Sequence, residues 1–497
     1  MMRVIQFILF TLLGGALPPA LASIDRYFDT IKSDPNALYA FFKEMPKGGE
    51  LHYHLAGGAY PETMLDLASS NGNYCLAPQT LTIHKTTSPC DGVSTTSLAT
   101  KPALYNQTIR AWSMKDFTPG DESGHDHFFA SFSKFMPIVA DFHPQLLAEI
   151  MKRASNQHEL YLEIMILPDN ANSATFAKPA RGPIGFAAKR QTLLANINFQ
   201  QNISHTVAES TRILQQARHD LGCDSPPQPA VCSLTIKFQY YILREQPLES
   251  VFAQALNGFA AAALSDDIVG INLVQAEDGT ISLRDYQEQM RIFKYLHTVY
   301  PNVHIALHAG ELAPNDVKPA DLRFHIREAI LTGRAERIGH GVDIAYEDNA
   351  DHLVKYMAKM TIPVEINLTS NREILHIAGI EHPLHYYLAH RVPVVLSTDD
   401  EGILCTDLSR EYVEAVVHHG LDYSTTRAIN RNTLTYSFLP GKSLWADPRK
   451  HMAVPECQNL DSPTCQQFIK INQKARLQWQ LEKNLGAFEM KYNRTKK

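Results

Sequence analysis

Eight short apolar runs recur along the chain: Glu50–Ala56, Glu159–Leu167, Leu234–Leu243, Ile268–Val274, Val303–His308, Arg337–His340, Val364–Leu368 and Val392–Ser397. Several are dense in Val and Ile and lack polar alternation, as strands buried on both faces require. Between them, apolar residues fall at helical spacing over Phe128–His143, Pro144–Gln157, Ala187–Leu221, Leu283–Val299, Pro319–Gly333 and Tyr346–Lys359. Alternating strands and helices predict a parallel sheet, and eight strands point to a closed α/β barrel, the (β/α)8 TIM barrel. An open doubly wound sheet is the competing arrangement, but no G-x-G-x-x-G follows the first strand. Two segments exceed a minimal barrel. Residues 71–124, rich in Ser, Thr, Pro and Gly, read as an insertion between strand one and its returning helix. Residues 440–497 read as a C-terminal extension with a polar helix near Gln466–Lys491.

The N-terminus changes the picture. One Arg precedes an apolar run from Val4 to Leu17, Pro18 and Pro19 break it, and Ala20-Leu21-Ala22 fits a small-x-small cleavage pattern. The run is shorter than the ~20 residues of a membrane-spanning helix. Residues 1–22 are therefore expected to be a cleaved secretory signal, leaving 23–497 as a secreted or periplasmic barrel with no stable membrane insertion. Six of the seven cysteines fall into local couples, Cys75/Cys90, Cys223/Cys232 and Cys457/Cys465. Disulfides suit such an oxidising destination; Cys405 has no neighbour. Across 497 residues, Lys plus Arg is 46 and Asp plus Glu is 52, giving a net charge of −6. So small an imbalance argues against a nucleic-acid binder with a basic surface.

Candidate chemistry sits at the strand ends, where barrels of this class place their active sites. The first strand ends His52-Tyr53-His54, whose i,i+2 imidazoles share a face. The fifth ends His308-Ala309-Gly310-Glu311, the sixth Gly339-His340-Gly341 and the eighth Thr398-Asp399-Asp400. Four strands that terminate in His, His with Glu, His and paired Asp describe a mononuclear metal site surrounded by acid–base groups. Two further His pairs are expected to be structural. His125-Asp126-His127 lies in a Gly-rich loop before a helix, and His418-His419 diverge as helix neighbours.

These motifs, with Met45-Pro46-Lys47 leading into the first, resemble the metal-dependent adenosine deaminase family of the amidohydrolase superfamily, in order and spacing over about residues 44–440. The signal, the insertion and Phe238-Gln239-Tyr240-Tyr241 are most similar to its secreted branch, the adenosine deaminase-related growth factors. The resemblance implies one Zn²⁺ per chain on His52, His54, His308 and Asp399, a donor set that suits zinc and leaves room for water. It implies that His340 orients the water and receives its proton with help from Asp400 or Asp399. It further implies that Glu311 protonates N1 of a purine and that Asp400 bonds N7. A glutamate acting as an acid needs a raised pKa, which burial supplies. The helix from Phe128 matches the family's lid, with Phe128 and Phe132 on one face. A homodimer is implied by the resemblance alone.

Two positions depart from the family pattern. Ala56 stands where cytosolic members carry an Asp for the ribose 5′ hydroxyl, and Gln275 stands where a Gly backbone approaches purine N3. Glu277 is the candidate for orienting groups near N3. The expected activity is deamination of adenosine or 2′-deoxyadenosine, with a small-molecule purine nucleoside as partner and no nucleic acid. The alternatives are deamination of adenine, an N6-modified purine or a nucleotide, and a secreted signalling or binding protein built on the same barrel. A binuclear hydrolase of the superfamily would carry a Lys after strand four, and Asn272–Asp278 has none.

Overall fold

The structure, a computed structural model, describes residues 19–86, 89–182 and 184–493. Eight strands lie in sequential order in one parallel sheet: β1 (Glu50–His54), β2 (Tyr161–Ile166), β3 (Thr235–Leu243), β4 (Ile268–Val274), β5 (His304–Ala309), β6 (Arg337–His340), β7 (Val364–Ile366) and β8 (Val394–Leu396). A bridge between Tyr53 and Asp399 joins the end of β8 to β1, with His54 N–H donating to Asp399 O at 2.9 Å. The sheet is thus a nearly closed barrel, as the apolar runs predict.

Three of the differences between the helices and the sequence expectation have a clear physical reason. Phe128–His143 and Pro144–Gln157 are one 33-residue helix, Gly124–Asn156, kinked at Phe142. Pro144, which lacks an N–H, bends the ladder without ending it. The helix also begins earlier than expected, because the Ser123 hydroxyl caps Asp126 N–H. His125 and His127 therefore sit in its first turn and not in a loop. Ala187–Leu221 divides into Phe186–Leu194 and Ile197–Asp220, the second capped by Asn196. A helix missing from the expectation, Leu248–Ala262, is buried continuously from Val251 to Ala261. Its polar residues Gln254 and Asn257 are buried along with the apolar ones, so no solvent-facing stripe marks it.

Residues 71–124 hold a small antiparallel sheet (Thr82–Lys85, Tyr74–Ala77, Val93–Ser94) and a helix, Pro102–Ala111. This unit braces the outer side of Gly124–Asn156: Lys85 pairs with Asp141 at 2.6 Å, and Trp112 packs on Phe135. Disulfides join Cys75–Cys90, Cys223–Cys232 and Cys457–Cys465, and Cys405 is free. The C-terminal segment carries a separate small core around Leu444, Trp445, Cys457, Cys465 and Ile469.

The expected signal's apolar run, Val4–Leu17, lies outside the described residues. A helix, Pro19–Ile31, passes through the expected cleavage point after Ala22 and buries Ile24 and Phe28. Among the described residues, no helix is long and apolar enough to cross a membrane.

Candidate active site

All four strand-end motifs converge at the C-terminal mouth of the barrel. Ligand atoms of His52, His308, His340 and Asp399 lie within 4.8 Å of one another, and Asp399 also groups with His54 and Asp400. Asp399 Oδ1 is 3.3 Å from His52 Nε2 and 3.1 Å from His54 Nε2, and the Nε2 atoms of His54 and His308 are 3.2 Å apart. His340 Nε2 faces Glu311 Oε1 at 3.6 Å and Asp399 Oδ2 at 3.8 Å.

Local backbone form aims these groups. His340 and Asp399 have φ of 67° and 66°, a left-handed conformation costly for residues with a Cβ. His340 closes β6 and Asp399 follows β8, so both turns lie at the strand ends where the cluster forms. Gly57 permits a close approach: a Cβ there would meet Asp400 Oδ1 at 1.8 Å.

Buried partners fix the imidazoles. His52 Nδ1 donates to Glu365 at 2.8 Å, and Arg337 holds Glu365 at 2.6 Å while its other arm reaches Glu163 at 2.6 Å. His308 Nδ1 donates to Asn272 Oδ1 at 2.9 Å. Both rings therefore turn Nε2 toward the cluster, and the buried His52 Nε2 finds no hydrogen-bond partner. Ser370 Oγ donates to Asp399 Oδ2 at 2.8 Å, and Glu50 holds the turn by accepting from Thr398 N–H and Oγ. Sequence reading missed Glu365, Asn272 and Ser370. The signal available was a polar residue inside an apolar strand run, as in Val364-Glu365-Ile366.

Electrostatics separate the carboxyl groups. Burial alone would raise the Asp399 pKa, but the imidazoles of His52 and His54 beside it outweigh burial and hold the group well below the usual range, ionised. Glu311 moves oppositely: burial, then the charges of Asp399 and Glu277, push it well above the ordinary value. Burial and the neighbouring Asp399 charge do the same to Asp400. Burial and the neighbouring His52 and His54 hold His308 neutral. The site thus offers one carboxylate and neutral imidazole among the converging donors, beside two acids that burial biases toward their protonated forms. Three imidazole nitrogens with a carboxylate oxygen, one nitrogen orphaned, fit a tetrahedral metal ion.

Residues 117–445 match the adenosine deaminase family model. The chain belongs to the adenosine deaminase family. That match starts after β1, so His52 and His54 join the site by their place in the barrel. The adenosine deaminase of Klebsiella pneumoniae is 39% identical over 137 residues, which cover 27% of this chain and 38% of that relative's length. The fold is similar to adenine deaminase from Arthrobacter aurescens, with 17% identity, 80% of this chain and 94% of that one covered, and a TM-score of 0.53. It is also similar to the Arabidopsis N6-mAMP deaminase, with 20% identity, 81% and 96% covered, and a TM-score of 0.52.

Above the cluster lies a cavity of about 490 Å³. Phe128 and Phe132 of the helix Gly124–Asn156 form its roof with Met136, and Ala56, Gln275, Glu311, Asp399 and Asp400 contribute to its walls and floor. Gln275 takes the φ of 82° that a glycine adopts easily, and its side-chain Oε1 accepts from Glu245 N–H at 3.0 Å. The long side chain is thereby tied back to the rim. Glu277 is placed beneath the floor and not in the lining. It accepts from Gly310 and Glu311 N–H at 3.1 and 2.9 Å and pairs with His325 at 2.6 Å, bracing the turn that presents Glu311. His125 and His127 stay outside the cluster: His125 pairs with Asp278 at 3.1 Å and His127 with Glu122 at 3.0 Å. His418 contacts Glu414, while His419 packs beside His382 and His385.

Proposed function

We propose that the chain is an exported zinc-dependent purine aminohydrolase converting adenosine and 2′-deoxyadenosine to inosine and 2′-deoxyinosine with release of ammonia. One observation carries the reading. An ionised Asp399 among imidazoles and a protonated Glu311 share the floor of one aromatic-roofed cavity. His52, His54, His308 and Asp399 would hold one Zn²⁺. When bound, the ion supplies Lewis-acid activation of water.

The chain's residues supply the rest. Glu311, kept protonated by burial, gives its proton to N1 and makes C6 electrophilic. Asp400, also protonated, donates to N7. His340 orients the oxygen that adds to C6. Phe128 and Phe132 cover the base and keep bulk water out, which strengthens every charge interaction beneath them. Export is supported by the three disulfides and by the N-terminal apolar pattern; the exported protein's N-terminus is then Ser23.

A second reading, free adenine or an N6-substituted purine as substrate, is favoured by Ala56, whose methyl offers nothing to a ribose hydroxyl. The acidic side chains of Glu245 and Asp399 at the cavity disfavour a nucleotide phosphate. Conversion to the 6-oxopurine by the zinc-loaded chain, with adenosine, deoxyadenosine, adenine, N6-methyladenosine and AMP in parallel, separates these readings. Turnover of none of them overturns the proposal and leaves the secreted binding protein. Glu311→Gln should abolish turnover with zinc retained, and His308→Ala should lose the zinc.

A further inference from the structure

A buried hydrogen-bond chain leads away from His340 of the cluster through two residues that do not line the cavity. It starts at a backbone group whose direction is not negotiable. Leu384 N–H donates to His382 Nδ1 at 3.1 Å, so that nitrogen carries no proton. The proton of His382 is then on Nε2, which lies 3.0 Å from Asn371 Oδ1 and donates to it. With its oxygen accepting, Asn371 presents Nδ2–H to His340 Nδ1 at 2.9 Å. The Asn367 amide nitrogen approaches the same ring atom at 3.4 Å. The Asn371 backbone is held by its N–H donating to Asn367 C=O and its C=O accepting from Ile377 N–H, and its amide is oriented by the two rings on either side. All of Asn367, Asn371, His340 and His382 are at most 2% exposed, so water does not compete.

We infer that Asn371 and His382 are positioning residues that lock His340 into the tautomer with its proton on Nε2. That N–H has no partner in the structure and faces the space between Glu311 and Asp399. His340 therefore donates a hydrogen bond to the oxygen that adds to C6 and does not receive its proton. One proton of the water goes to a carboxylate, Asp399, and leaves with the ammonia, and the remaining O–H proton returns to Glu311 as C6=O forms, so the active site is restored. This differs from the proton-accepting role that the family resemblance assigns to His340, and it rests on the proposed function only in placing His340 beside the reacting atoms.

The test is ¹⁵N-histidine NMR of the zinc-loaded full chain, with the His340 signals identified by their loss in His340→Asn. An unprotonated Nδ1 and a protonated Nε2 are expected; a protonated Nδ1 overturns the inference. Asn371→Leu should lower kcat by about 100-fold, the scale of a misdirected proton donor, with KM and zinc content unchanged. His382→Gln keeps a donor toward Asn371 and should retain kcat, whereas His382→Leu should lose it. Equal behaviour of the two His382 variants overturns the relay. The spectrum is read without turnover, so a chain inactive on every purine refutes the proposed function while the tautomer still decides the relay.

Discussion

Glu365 is a buried carboxylate shared between two neighbours: it accepts from Arg337 Nε at 2.6 Å and from His52 Nδ1 at 2.8 Å. Burial alone would raise its pKa, but the Arg337 charge and the His52 bond outweigh it and keep the group ionised. Glu365→Gln should weaken zinc affinity by roughly 10–100-fold, the usual cost of losing such an outer partner, read by competition with a chelator. It should also destabilise the fold by about 3 kcal/mol, because Arg337 loses half its compensation. Gly57→Ala is expected to push Asp400 aside, given a Cβ position 1.8 Å from its Oδ1. Turnover should fall with zinc content unchanged, since Gly57 approaches Asp400 and not the four proposed ligands. Neither position was legible in the sequence. Glu365 reads as one polar residue in a strand, and the need for Gly57 arises from a residue 343 positions away, 400 − 57.

At the scale of elements, the helix Gly124–Asn156 is roof and wall together. Its outer side is braced by residues 71–124 through Lys85 and Asp141, and its first turn is clasped by His125 against Asp278. Burial would lower the His125 pKa, but the hydrogen bond and charge of Asp278 outweigh it and lift it to about 9. A histidine raised in the folded state contributes fully below its unfolded pKa, near 6.5, and loses that contribution as pH rises through about 9. The difference in Tm between the native chain and His125→Gln should therefore be largest near pH 6 and vanish above pH 9. A difference that is flat or grows with pH contradicts this. Zinc content of the variant should equal that of the native chain. The H-x-H spacing at 125–127 was visible in the sequence. That it clasps a roof depends on Asp278, which only the folded barrel brings near.

Over the whole molecule, the two ends of the described chain meet. Pro19–Ile31 packs on Gln473–Asn493, and Phe41 stands edge-on to Phe28 and Phe488, with centroids 5.5 and 5.2 Å away. Phe488→Ala should cost about 3–5 kcal/mol, as for other buried aromatics, measured by denaturant unfolding with activity retained before the transition. The C-terminal core depends on Cys457–Cys465, both fully buried. Reduction should open residues 445–471 to protease first, because so small an apolar cluster needs a covalent staple, while turnover persists. Cleavage elsewhere ahead of that segment contradicts a separately stapled unit.

The sequence by itself determined what repeats locally: eight buried strands from runs of Val and Ile, helices between them, and His52, His54, His308, His340, Asp399 and Asp400 at strand ends. Those features survive because periodicity and strand polarity are written within a few residues. The rest belonged to tertiary structure. The positive φ of His340 and Asp399, the tied-back side chain of Gln275 and the bracing role of Glu277 are set by partners from other strands. So is the proton position on His340, fixed through Asn371 and His382 by one backbone amide. Burial makes each of these bonds obligatory, and burial is a property of the closed barrel that no single segment carries.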